Sequence, residues 1–203
     1  MAAINFYGTT SLPGFFGVES NGLVQGQYQP APSNRNNVSG AFVDITVTAP
    51  VYGGMLITEY APAADALVSL GGKVDVATST ATGTGFVVAN GMYNAVITAG
   101  ALGATVAPYV TGGNSVQLAR FGSGLEVAVA IDPAIVATVQ GGVINQQVSW
   151  DATNQRLTTY AEASGALPCQ ILKIEKNSKV ISIDATSGLP VWSDGTAALI
   201  RLN

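Results

Sequence analysis

The chain has 203 residues, of which 48% are hydrophobic and only 10% charged, against about a quarter charged in an ordinary soluble domain. That balance is the reverse of a disordered chain. Twelve acids against eight bases, a net charge of -4, argue against a surface built to neutralise nucleic-acid phosphates. There is no histidine and one cysteine, Cys169. The usual general base, His-containing metal sites, internal disulfides and multi-cysteine zinc sites are therefore excluded together.

The start, MAAINFYG, lacks the basic region and unbroken apolar core of a signal peptide. Residues 19–40 are rich in Gln, Asn, Ser, Gly and Pro, and Pro30 and Pro32 cannot donate to a sheet ladder. Residues 1–40 are therefore expected to form an extended arm, docked through Phe6, Tyr7, Phe15 and Phe16, with residues 41–203 as the β domain. That domain divides into two possible lobes, about 41–120 and 121–203. From residue 41 a period of two begins. In 41–49, Ala41, Val43, Ile45, Val47 and Ala49 fall on one face, which predicts a half-buried strand. Further strands are expected at 55–60, 73–78, 85–89, 95–98, 115–119 and 125–131, separated by glycine-rich breaks. Residues 61–70 are the best helical candidate. No charged residue lies between Asp75 and Arg120, and residues 91–110 are long enough to span a bilayer. Asn94, Thr98, Thr105 and Pro108 interrupt them and no Lys/Arg cluster flanks them, so short strands buried in a core or subunit interface are expected rather than a membrane span.

The last third repeats Asp-Ala-Thr after an alternating run, at Asp151 and at Asp184. An Asp carboxylate can accept backbone N–H groups just ahead of it and so start a turn, which predicts two hairpins, VSW–DATNQ–RLTTY and KVISI–DATSG–LPVW. A final strand is expected at 197–202. The fold class is mainly β: a barrel or sandwich of short antiparallel strands, an extended N-terminal arm and at most one short helix.

Candidate chemistry is sparse. Ser178 and Lys179 are adjacent, and in a strand adjacent side chains point to opposite faces. Cys169 reads as a packing residue. Glu126 and Asp132 are six residues apart on or beside one strand, roughly 20 Å if extended, too far for a glycosidase pair. Gly83-Thr-Gly85 and Gly122-Ser-Gly124 lack a third fingerprint glycine, and Gly71-Gly72-Lys73 lacks the rest of a phosphate loop; all read as turns. Asp151 with Asn154 is a weak calcium candidate. Asn37-Val38-Ser39 matches a glycosylation sequon by coincidence. Trp150 and Trp192 either plug a β core or stack on a sugar. No catalytic, cofactor-binding or metal-binding residue is assigned.

From Leu125 onward, the strand LEVAVAI, a Pro- and Gly-containing link over 132–142, QQVSWDATNQRLTT, GALP and the closing GTAALIRLN resemble the structural cement (capsid decoration) proteins of tailed-bacteriophage heads. In that family a hairpin with Val, an aromatic residue, Asp, an aliphatic residue and Thr precedes a terminal A-L-(aliphatic)-R-L strand. Here Gln147-Val-Ser-Trp-Asp-Ala-Thr and Ala198-Leu-Ile-Arg-Leu stand in those places. The resemblance implies a non-enzymatic virion protein without cofactor on the outer surface of the head. Its partners would be the major capsid protein and further copies of itself, as a dimer or trimer, with neither nucleic acid nor membrane. A receptor- or glycan-binding β module of a phage tail or of a surface adhesin is the alternative. It requires Trp150 or Trp192 to be exposed.

Overall fold

The computed structural model describes residues 23–29, 38–60, 72–88, 106–140 and 147–203. Strands β2 (Val38–Val43), β4 (Leu56–Tyr60), β5 (Gly72–Val76), β6 (Gly85–Val88) and β8 (Ser115–Arg120) close into a barrel in the order β2-β5-β4-β6-β8. Four of its five pairings are antiparallel, and β2 with β5 is parallel. A short pair, β3 (Val51–Tyr52) with β7 (Tyr109–Val110), flanks it.

The second lobe is a sheet ordered β1-β9-β13-β12, where β1 is Tyr28–Gln29, β9 Glu126–Ala130, β12 Cys169–Ile183 and β13 Pro190–Leu202. β12 and β13 form one long hairpin, with register shifts at Ile171/Lys173 and Glu175/Ser178. The hairpin expected around Asp184 is its tip, and the expected 197–202 strand is the far half of β13. The other expected hairpin is β10 (Val148–Asp151) with β11 (Arg156–Thr159), Trp150 facing Leu157 across it. The one described α-helix, α1 (Val136–Gln140), follows a 3-10 turn over Pro133–Ile135. Residues 132–140, the described part of the expected link, are therefore not simply a link. The Asp132 carboxylate accepts the Ala134 N–H at 3.0 Å and Pro133 opens the turn, an N-terminal signal that fixes a helical start.

Pleating sends neighbouring side chains to opposite faces, and here each face has its own core. Ala41, Val43, Ile57, Val74, Val87, Val116 and Leu118 fill the barrel interior, joined by Ile181 and half-buried Trp192 from the long hairpin. Leu56, Phe86, Val88 and Ala119, from the alternate positions, pack outward against Val127, Val129, Trp150, Leu157, Ala198, Ile200 and Leu202. The second core therefore lies between the barrel wall and the second lobe, not within either one.

Three sequence expectations change. The 41–49 strand starts earlier and stops at Val43, because the Asp44 carboxylate accepts the Thr46 N–H at 2.9 Å and turns the chain. Ile45, expected in the core, is consequently 79% exposed. The arm also gives up residues at two places: residues 38–40 are the first half of β2, and residues 23–29 are built into the second lobe. The remainder of the expected arm, 1–22 and 30–37, lies outside the described residues. So do the helical candidate at 61–70, the 95–98 strand and most of the apolar 91–110 stretch. No helix among the described residues is long and apolar enough to cross a membrane.

Candidate functional site

Residues 23–29 join parts of the fold that are far apart in sequence. The Gln25 N–H donates to the Lys179 carbonyl and the Lys179 N–H to the Leu23 carbonyl, both at 2.9 Å, so this stretch lies on the outer edge of β12. At the next residue the Gly26 N–H donates to the Ala128 carbonyl at 2.8 Å, and Tyr28 and Gln29 pair with Val127 and Glu126 of β9. One short segment thus bonds to both edge regions of the second lobe. Val24 and Gln25 are buried, and the Gln25 Oε1 accepts the Ile181 N–H at 2.8 Å. Gly26 has φ +84°, and a Cβ there would stand 2.6 Å from the Gly53 Cα. Only glycine lets the segment slip between the barrel turn and the sheet. Ser178 clamps the entry: its Oγ accepts the Leu23 N–H at 3.0 Å and donates to the Glu175 carbonyl at 2.9 Å, across the second bulge of β12. The sequence offered Val24 and Tyr28 as lone strand formers, too few to outweigh their polar neighbours.

Beside this junction lies a cleft of about 720 Å³, walled by the barrel at Pro50, Tyr52 and Met55, by the β10–β11 turn, and by both strands of the long hairpin. Its apolar lining includes Val76, Ile131, Pro133, Ile181 and Ile183. Burial pushes the Tyr52 hydroxyl up to about 12. Arg156 stands 3.1 Å from Asp132 and 3.9 Å from Asp151, and Asp194 takes the Lys179 ammonium at 2.5 Å. The cleft's charges are thus already matched, and what it presents is mostly apolar surface.

The same holds for charge elsewhere. Arg120 grips Glu59 with two bonds of 2.6 and 2.5 Å across the barrel wall. A Cβ on Gly72, on β5 at the opposite side of β4 from Arg120, would collide with that carboxylate. Arg201 holds Glu126, its directly opposed partner, at 2.7 Å. Asp44 accepts from the Tyr60 hydroxyl at 2.5 Å, from Thr46 and, at 3.3 Å, from Lys73. These bonds, the Tyr60 one foremost, hold its carboxyl well below the usual carboxylate range.

The candidates read from sequence fall into place around this frame. Trp150 is 3% exposed, its ring edge-on to Phe86 at 5.1 Å and its Nε1 donating to the Gln155 Oε1. Trp192 is half-buried against the barrel interior. Cys169 packs on the shared core, and burial pushes its thiol up to about 12. Glu126 and Asp132 each face an arginine, Arg201 and Arg156 respectively, rather than each other. Asp151 Oδ1 accepts the N–H groups of Thr153 and Asn154, and its Oδ2 the Asn154 side-chain amide. That is the expected hairpin turn. Asp184 does the same for Ser187. Ser178 and Lys179 point to different partners, as alternation requires. Gly122 and Gly124, both at positive φ, turn β8 into β9. No known protein family, curated protein or solved structure matches this chain.

Proposed function

We propose that this chain is a non-enzymatic structural protein of a tailed-bacteriophage head. In this reading it binds the outside of the capsid lattice and cements neighbouring major capsid subunits. The sequence resemblance over residues 125–203 supplies the family. The observation that carries the reading is the 23–29 segment, a piece of N-terminal chain already working by strand addition to sheet edges. Main-chain pairing of that kind gives affinity with little demand on side-chain chemistry. Repeated over a lattice it adds avidity. The matched carboxylates and arginines point the same way, since they spend their bonding on the fold rather than on a substrate. The buried Trp150 weakens the glycan-binding alternative.

Immunogold labelling of virions from a lysate containing this protein tests the proposal. Gold spread regularly over the heads is the expected result. Gold confined to the tail tip, or none on particles, overturns it.

A further inference from the structure

We infer that the face of the second sheet turned away from the barrel is a docking surface for residues 12–18 of this same chain, Leu-Pro-Gly-Phe-Phe-Gly-Val. Directly opposed residues of neighbouring antiparallel strands share a face. Val127, Val129, Ala198, Ile200 and Leu202 point towards the barrel wall and Trp150. Ala128, Ala130, Ala197 and Leu199 hold the alternate positions and point the other way. They are 1%, 8%, 0% and 9% exposed, yet none of them belongs to either core. Among the described residues, the barrel wall, the β10–β11 hairpin and the start of α1 all pack on the opposite face.

Neighbours within the sheet do not account for that burial. Ala197 is opposed by Ala130 on β9 and Glu175 on β12, and Gly195 and Leu199 flank it along β13. Such small neighbours leave it open from above, so its complete burial calls for an apolar cover. The burial is also graded. Ser178, opposite Gly195 on the same face, is buried, whereas Arg201 at one end and Ser182 near the hairpin tip are exposed. The cover therefore lies over the middle of the sheet, beside Ser178.

Ser178 is also where the N-terminal chain arrives. In a parallel ladder continued back from Lys179, the Leu23 N–H would donate to the carbonyl of residue 177. It donates instead to the Ser178 Oγ at 3.0 Å. The ladder stops there, and the chain ahead of Leu23 is drawn from the edge towards the covered face. Phe16 precedes Leu23 by seven residues, a reach of up to roughly 23 Å. Ala197 lies two strand spacings and two residues away, on the order of 12 Å.

Composition selects this occupant. Residues 12–18 are uncharged and carry adjacent phenylalanines, whereas residues 30–37 offer no apolar side chain larger than proline. Residues 61–71 and 141–146 join elements that pack on the barrel side. Residues 89–105 return at Val106, beside Val191 at the hairpin tip, and a cover from there would bury Ser182 first.

The inference rests on burial and register, not on the capsid reading, and its test needs no virion. A cysteine placed at Ala197 or Ala128 of the full chain should resist a water-soluble maleimide. Adding F15S/F16S should speed that labelling about tenfold or more, as local uncovering does. The buried Cys169 should stay unlabelled throughout, which reports an intact fold, and Lys173→Cys on the exposed rim should label rapidly in both backgrounds. Labelling of Ala197→Cys and Ala128→Cys that F15S/F16S leaves unchanged overturns the inference. Protection that disappears on dilution, as the sedimenting mass falls to one chain, assigns the cover to a second copy and overturns it too. A benzoylphenylalanine at Phe16 supplies a measurement that does not depend on the serine variants folding. It should crosslink within one chain to the 126–130 or 195–201 peptide, and crosslinks confined to other peptides reject the site.

Discussion

Asp44 shows how a single carboxylate here reports on the fold. Its folded-state pKa is depressed, by Tyr60 first and then by Thr46 and Lys73. Its contribution is therefore complete above the unfolded value, near pH 4, and is lost as pH falls below it through the folded value. Asp44→Asn keeps an acceptor but no charge. The gap in Tm between wild type and variant should be widest at neutral pH and shrink progressively below about pH 4; a gap independent of pH would refute the assignment. Asp151→Ala removes the acceptor for two turn amides and should cost about 1 kcal/mol in urea titrations, as a lost cap does. Asp184→Ala should act in the same direction. Loss of partner binding with unchanged stability would instead mark either residue as a contact. These turns were legible because Asp followed two residues later by a small polar residue bonds locally. Gln155 was not. It sits at φ +51°, a conformation side chains avoid, and is held there by its bonds to Trp150 Nε1 and the Ala152 carbonyl. Trp150→Ala, which also empties the space beside Phe86, should cost about 3–5 kcal/mol.

At the scale of elements, the period of two located the cores of β4, β5, β6, β8 and β9 within a residue or two, because side chains on β6 and β8 alternate between two interiors and those on β5 between the barrel interior and the surface. It failed where a local bond outbid alternation, as at Asp44, and where bulges broke the phase. β12 is a single strand of 15 residues, yet its two register shifts move side chains off a strict alternation, so only its last part was recognisable. The 23–29 segment was invisible for another reason: its stability comes from partners about 150 residues away, which no local pattern encodes. Gly26→Ala tests that element directly. With a positive φ and a backbone atom where the new Cβ must go, the substitution should cost more than about 1 kcal/mol; a neutral effect on the denaturation midpoint would show that the wedge is dispensable. Truncation at residue 29 should likewise lower Tm well below truncation at residue 22, since only the longer deletion removes the bonds to Lys179 and β9.

For the molecule as a whole, the sequence suggested lobes at about 41–120 and 121–203; the barrel strands fall within 38–120, while the second sheet joins strands of 126–202 to residues 28–29. The packing runs across both, because Leu56, Phe86 and Ala119 of the barrel belong to the same core as Ile200 and Leu202. Calorimetry should therefore show one transition with matching calorimetric and van't Hoff enthalpies. Two resolved transitions would mean that the lobes are thermodynamically separate. Composition pointed to a β protein and the alternation to a barrel or sandwich. Closure through a parallel pair depends on which edges meet and was not written in any one segment. The stretch that bonds β12 and β9 also sets a timetable. A ribosome makes residues 23–29 about 155 residues before their partners on β12, so this segment waits for an edge that is made much later. Contacts of such long sequence separation slow folding. A chain that stops short of β12 holds the segment without the edge it bonds, and the wedge cannot close until that edge exists.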